Sequence, residues 1–194
     1  MPFRIYLDIQ KQISQVLADS YKGLFMQNNR GFSLIELLIV VVIIGLIAAI
    51  AIPNMLSARR AANEGSSVSG LRTLYGANIS YAATVGTGSY AGTVGTVGTS
   101  SLTDLLGANL IDSALAAGEK SGYLYVGNRL AATPTTLESF YFASNPATPS
   151  GVVMTGTKRF GVATEGVIRY DATAAHLGVP LDEVTIQAAA PVEN

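Results

Sequence analysis

Hydrophobic and polar positions follow three different periods along this chain. From Phe32 to Ile52 the residues are apolar almost without a break, and Glu36 is the one charge among them. A helix of that length rises about 30 Å, enough to cross the hydrocarbon core of a bilayer. Helices that are apolar all round are rarely this long inside a small soluble domain. Beyond the run, Leu56, Val68, Leu71, Leu74, Tyr75, Ile79 and Ala82 recur at steps of three and four. That spacing predicts a continuation of the same helix to about Ala83, now apolar on one side only. Gly65-Ser66-Ser67 weakens it locally. A helix over 32–83 would reach roughly 75–80 Å. Something besides the chain's own head must pack against that length.

The pattern then breaks. Residues 84–101 are rich in Gly and Thr, with a short imperfect Gly-Thr-Val repeat. No Gly-Lys-Ser/Thr follows, so this reads as a flexible surface connection and not as a phosphate-cradling loop. Leu102–Leu106 and Ile111–Ala117 suggest short helical turns, with Ser101 or Thr103 and Asp112 as caps. From there the period is two. Tyr123, Tyr125 and Arg129-Leu130 predict a first strand. Leu137–Ala143 predicts a second, with Phe140 and Phe142 on one face and Tyr141 on the other. Phe160–Thr164 and Val167–Tyr170 flank Glu165-Gly166, which predicts a hairpin. After Asp171 the pattern fades into an Ala-rich stretch with Pro180 and Pro191, expected to be a loosely attached tail. The expected class is α+β: a long N-terminal helix, half of it transmembrane (32–52), packed on a small antiparallel sheet of about four strands. The organisation is 1–31, helix 32–83, connection and short helices 84–120, sheet 121–171 and tail 172–194.

Composition removes several functions. Charged residues are only 13% of the chain, and the net charge of −1 supplies no basic field for nucleic acid. There is no cysteine, so no disulfide, thiol nucleophile or Cys-based metal site exists. A single histidine, His176, excludes a multi-histidine zinc site. No paired carboxylates or nucleophile–base set stand out, so an enzyme is not expected, nor a cofactor. Asp171, Asp182 and Glu183 could be read as calcium ligands, but they lack regular oxygen-ligand spacing.

The decisive stretch is Arg30-Gly31-Phe32-Ser33-Leu34-Ile35-Glu36-Leu37-Leu38-Ile39-Val40. It resembles the class III signal of the type IV filament superfamily, the prepilins. The resemblance implies a cut by prepilin peptidase between Gly31 and Phe32, N-methylation of Phe32, and an assembly role for Glu36. Elementary chemistry agrees. Gly31 offers a protease the least hindered backbone, and Gln27-Asn28-Asn29-Arg30 keeps the site out of the bilayer. Glu36 costs about 2.5–3.5 kcal/mol on insertion scales, so an intramembrane acid needs a partner. That partner is the new amine of Phe32, in the same subunit or in a neighbour, where the contact would fix axial register. Gly45 and Pro53 also match type IVa pilins, and the likeness implies that the helix between them melts on assembly. Weaker likeness to pilin heads covers Lys120–Tyr123, Thr157–Val162 and Gly166–Arg169. The C-terminal cysteine pair of many pilins is missing.

Residues 1–30 mix Arg4, Lys11, Lys22 and Arg30 with Asp8 and Asp19, and Ile5–Leu17 suggests a weak amphipathic helix. The leader is long for the type. Met26 begins an ordinary short one, which suggests translation from Met26 and residues 1–25 as an extension. Arg30 before the apolar run and Arg59-Arg60 after it nearly balance, so they orient the span poorly.

The leading expectation is a structural pilus subunit that rests in the inner membrane, is cut and methylated, and is built by an ATP-driven assembly platform into a surface fibre of identical subunits. Motility, adhesion and DNA uptake are its open roles. A pseudopilin of a type II secretion system is the near alternative. A DNA-capturing minor pilin is the third, and it would need Lys158, Arg159 and Arg169 exposed as a basic stripe.

Overall fold

A computed structural model describes residues 11, 12, 15 and 31–192 of the chain. Of the leader's expected amphipathic helix only Lys11, Gln12 and Gln15 are described, and all three are helical; the Gln27–Arg30 segment and the Met26 start lie outside the described residues. The chain divides into two units, Met1–Ala49 and Ile50–Asn194.

In the first unit, Gly31 to Ser33 are non-helical and helix α1, Leu34–Thr84, begins. The apolar side chains from Leu34 to Ile47 have no protein cover. Among the described residues, α1 is the helix long and apolar enough to cross a membrane.

In the second unit the rest of α1 buries one stripe: Ser67, Gly70, Leu71, Leu74, Ala77 and Asn78. Only part of this was visible as apolar periodicity, because four of the six are small or polar. Gly70 leaves room for Tyr125, whose hydroxyl would lie 2.7 Å from a Cβ placed there. Ser67 and Ser144 share a buried hydroxyl hydrogen bond at 2.6 Å. Asn78 Oδ1 accepts the Ala91 N–H at 2.9 Å and so ties the following connection to the helix. The helix continues through Gly65-Ser66-Ser67.

Two short helices follow, α2 (Ser100–Gly107) and α3 (Ser113–Ala116). Asp112 caps α3 as predicted, accepting from Leu115 N–H. Ser101 and Thr103 are not caps: α2 starts after Thr99, and Ser101 is buried within it. The six strands β1 (Glu119–Lys120), β2 (Tyr123–Leu130), β3 (Ser139–Pro146), β4 (Arg159–Ala163), β5 (Ile168–Asp171) and β6 (Ala190–Pro191) form one antiparallel meander in chain order. The expected count of about four strands is thus exceeded by two. Both additions, β1 and β6, are two-residue edge strands too short to show a period.

The two faces of β3 divide as its alternation predicts. Phe140 and Phe142 join Leu71, Leu74, Tyr123 and Tyr125 in the main core, while Tyr141 and Ala143 belong to a second cluster with Leu181 and Ile186. That second cluster corrects the expectation of a loose tail. Helix α4 (Glu183–Ala188) follows a 3-10 turn and is held by a capping box between Asp182 and Thr185. Its Ile186 is fully buried against Gly161, where a Cβ would lie 2.5 Å away. Two buried apolar residues in an Ala-rich stretch make no period, so only packing reveals them. The Gly/Thr connection is also less free than expected. Ala91 is buried, and Gly98 exchanges backbone hydrogen bonds with Gly127 at 3.0 and 2.8 Å.

Gly127 faces the Phe142 ring, with 2.6 Å between a built Cβ and the ring edge. Gly127→Ala should therefore destabilise this unit by about 1–3 kcal/mol through overpacking. Denaturant unfolding of the variant, read as a lower midpoint at unchanged slope, checks it.

Candidate functional site

The residues singled out at the N-terminus sit around the first turn of α1. Phe32 is 74% exposed and lies just outside the helix. The Ser33 carbonyl accepts the Leu37 N–H at 3.2 Å, which places Ser33 at the cap position. Glu36 Oε2 accepts the Ser33 N–H at 3.0 Å. This is the acidic half of a capping box, and the acid also faces the positive end of the helix dipole. Ser33 carries no sequence-based expectation, although Ser33-Leu34-Ile35-Glu36 spells the S-x-x-E signature of a capping box. Glu36 therefore has a local backbone partner near the terminus that cleavage would create.

Gly45 and Pro53 both fall inside α1. Gly45 has open space where a Cβ would stand. Pro53 has no N–H to offer the Ala49 carbonyl, one turn earlier, so the helix there is short of one bond.

The head's charges are largely engaged. Arg159 is only 6% exposed. It donates through Nε and Nη2 to Asp171 Oδ2 at 3.0 and 2.7 Å, and through Nη1 to the Val179 carbonyl at 2.9 Å. His176 Nδ1 meets the same carboxylate oxygen at 2.9 Å. Hydrogen bonding from Thr173 leads in holding the Asp171 carboxyl well below the usual carboxylate range; His176 and Arg159 add to it against partial burial. Asp182 is likewise lowered by the Thr185 hydroxyl and amide. Arg169 donates to the Ala189 carbonyl, and Lys158 lies 4.9 Å over the Tyr170 ring. Arg159 is thus withdrawn from any basic stripe on the hairpin. Asp171 and Asp182 bind within the fold, and among the described residues no group of three or more His, Asp or Glu could hold a metal.

Comparison with known proteins bears on the same stretch. The pattern described as the prokaryotic N-terminal methylation motif matches residues 26–52. A type IV major pilin protein of Myxococcus xanthus is 47% identical over 57 residues, 29% of this chain and 26% of that protein. A type IV wide pilus major component of Thermus thermophilus is 59% identical over 39 residues, 20% of this chain and 30% of its own. The type II secretion system core protein G of Klebsiella pneumoniae is 40% identical over 52 residues, 27% and 37%. The alignments span between 26% and 37% of these curated relatives. No solved structure matches the chain. The likeness of this chain to type IV pilins and to a secretion-system core protein covers 20–29% of its length, and the methylation motif heads the long apolar helix.

Proposed function

We propose that the chain is a structural subunit of a type IV pilus. The observation that supports it best is the methylation motif over residues 26–52, leading into an apolar helix whose side chains have no cover of their own. Prepilin peptidase cuts between Gly31 and Phe32 and methylates Phe32. The subunit waits in the inner membrane until an ATP-driven platform extracts it. Its apolar helix then packs among those of identical subunits, so that this surface passes from lipid to protein and never meets water. Contacts between unlike patches on successive copies generate a helical fibre. Glu36 leaves its Ser33 N–H for the Phe32 amine of a neighbour, and the Gly45–Pro53 segment loses helicity as the helices pack. The role is structural and not catalytic.

The match to core protein G supports a second reading, a pseudopilin of a secretion system. A deletion strain separates the two. Loss of surface fibres is expected for the pilus subunit; intact fibres with loss of protein secretion would assign the pseudopilin. Processing has its own check. Mass spectrometry of the mature protein should find N-methylated Phe32 as the first residue, and any other terminus overturns the cut after Gly31.

A further inference from the structure

The segment between β3 and β4 is fastened to one face of α1 by its backbone. Arg60 donates through Nη2 to the Val152 carbonyl at 3.0 Å and through Nε to the Met154 carbonyl at 3.3 Å. Asn63 Nδ2 donates to the Thr155 carbonyl at 2.9 Å. Thr157 gives its N–H and its hydroxyl to Glu64 Oε1 at 2.8 and 2.7 Å. Inside the loop, the Met154 N–H closes a turn on the Gly151 carbonyl, and the Thr155 N–H donates to the Thr148 carbonyl. Positions 60, 63 and 64 share one helix face, so the loop's height along α1 is set.

A backbone held this firmly nevertheless leaves its apolar side chains in the open. Val152 and Val153 are 74% and 72% exposed. Two exposed valines by themselves need no explanation; their position supplies one. Val153 lines a shallow recess with Leu56 and Arg59. Leu56 stands four residues beyond Ile52, where the apolar run ends, or about 6 Å along the helix axis. The polar zone on either side of a hydrocarbon core is about 5–7 Å deep. With Ile52 at the edge of that core, Leu56, which lines the recess with Val153, falls at headgroup depth, and Arg60, which holds the Val152 and Met154 carbonyls, falls about 12 Å out, so the loop faces the outer side of the headgroup zone. Met55, also exposed, occupies the same level of the helix. Arg59 is exposed and makes no hydrogen bond or ion pair within the described residues. Its long stem can lie along apolar surface while its guanidinium meets phospholipid phosphates.

We infer that the 151–154 loop is a second membrane contact of the unassembled subunit. Val152 and Val153 enter the headgroup zone of the bilayer that holds the apolar run, with Arg59 among the phosphates. The inference rests on the membrane reading of the 32–52 run. A neighbouring subunit could cover the same surface in a fibre. Lipid is favoured because Val153 lines its recess with Leu56 and Arg59, which lie within two turns of Ile52. The contact holds the head at the membrane surface, and extraction must release it.

The chain has no cysteine, so one introduced thiol labels one place. The full chain is reconstituted in phosphatidylethanolamine–phosphatidylglycerol vesicles with a fluorophore at Val153→Cys, Leu137→Cys or Ile44→Cys, and quenched by spin-labelled lipid. Leu137 is 90% exposed, and the neighbouring Glu138 binds the Tyr90 N–H beyond the other end of α1. The expected result is strong quenching at 44 and several-fold more quenching at 153 than at 137, reduced when Arg59→Gln is added. Equal quenching at 153 and 137, with 44 quenched, overturns the loop contact alone. No quenching at 44 overturns the membrane reading and the loop contact with it. Protection of 153 only in assembled fibres assigns the surface to a neighbouring copy and also overturns the inference.

Discussion

Glu36→Gln subunits are expected to insert, be cut and be methylated, yet to yield few or no fibres. The amide oxygen of Gln can still accept the Ser33 N–H that Glu36 accepts at 3.0 Å, so the start of α1 should survive. What disappears is the charge. Insertion should if anything improve, because a charged side chain within a membrane span is costly even near its end. The loss would therefore fall on the proposed step, in which the Glu36 carboxylate neutralises a neighbour's Phe32 amine. Immunoblotting should show mature subunit at ordinary levels, and electron microscopy of sheared fibres should show a deficit of an order of magnitude or more. Abundant fibres from Glu36→Gln would remove Glu36 from assembly. A block in processing would move its role to the peptidase.

Asp171→Ala should be the most damaging single change among the head's charged residues. It leaves the Arg159 guanidinium, 6% exposed, with only the Val179 carbonyl. Breaking a buried pair by removing one partner costs about 3–5 kcal/mol. In a unit of this size that lowers Tm by on the order of 10 °C. Asp171 is depressed in the folded state, so the unfolded chain takes up its proton first as pH falls. Its contribution is thus fully present above the ordinary Asp value of about 4 and fades as pH drops through the lower folded value. The wild-type head should lose stability below pH ~4, and Asp171→Ala should lose less over the same range. Calorimetric melts between neutral pH and pH ~3 would show both effects; a variant that melts like wild type at neutral pH contradicts the buried-pair argument.

Some of this molecule could be read directly along the chain. A nearly unbroken apolar run demands an environment without water, and Gly31-Phe32 with Glu36 at its head lies within the stretch that matches the methylation motif. The hairpin and the two faces of β3 follow from alternation, because a strand's side chains can go only one way or the other. Ser33 was legible too, since its capping signature is local.

Other features needed contacts between residues far apart. Leu181 and Ile186 are buried because Gly161 makes room, a fact about two segments that no single period records. Ser67, Gly70 and Asn78 belong to the core stripe because a tyrosine, a serine and a loop amide meet them there. Arg159 reads as a surface cation until Asp171 and the Val179 carbonyl close on it. The 151–154 loop is an unremarkable Pro/Gly-rich link until Arg60, Asn63 and Glu64 set its height on the helix. Pattern carries whatever is decided within a few residues of itself: solvent, period and cap. Burial of a polar group, the seat of a glycine and the height of a loop depend on partners distant in sequence, and only folding brings those together.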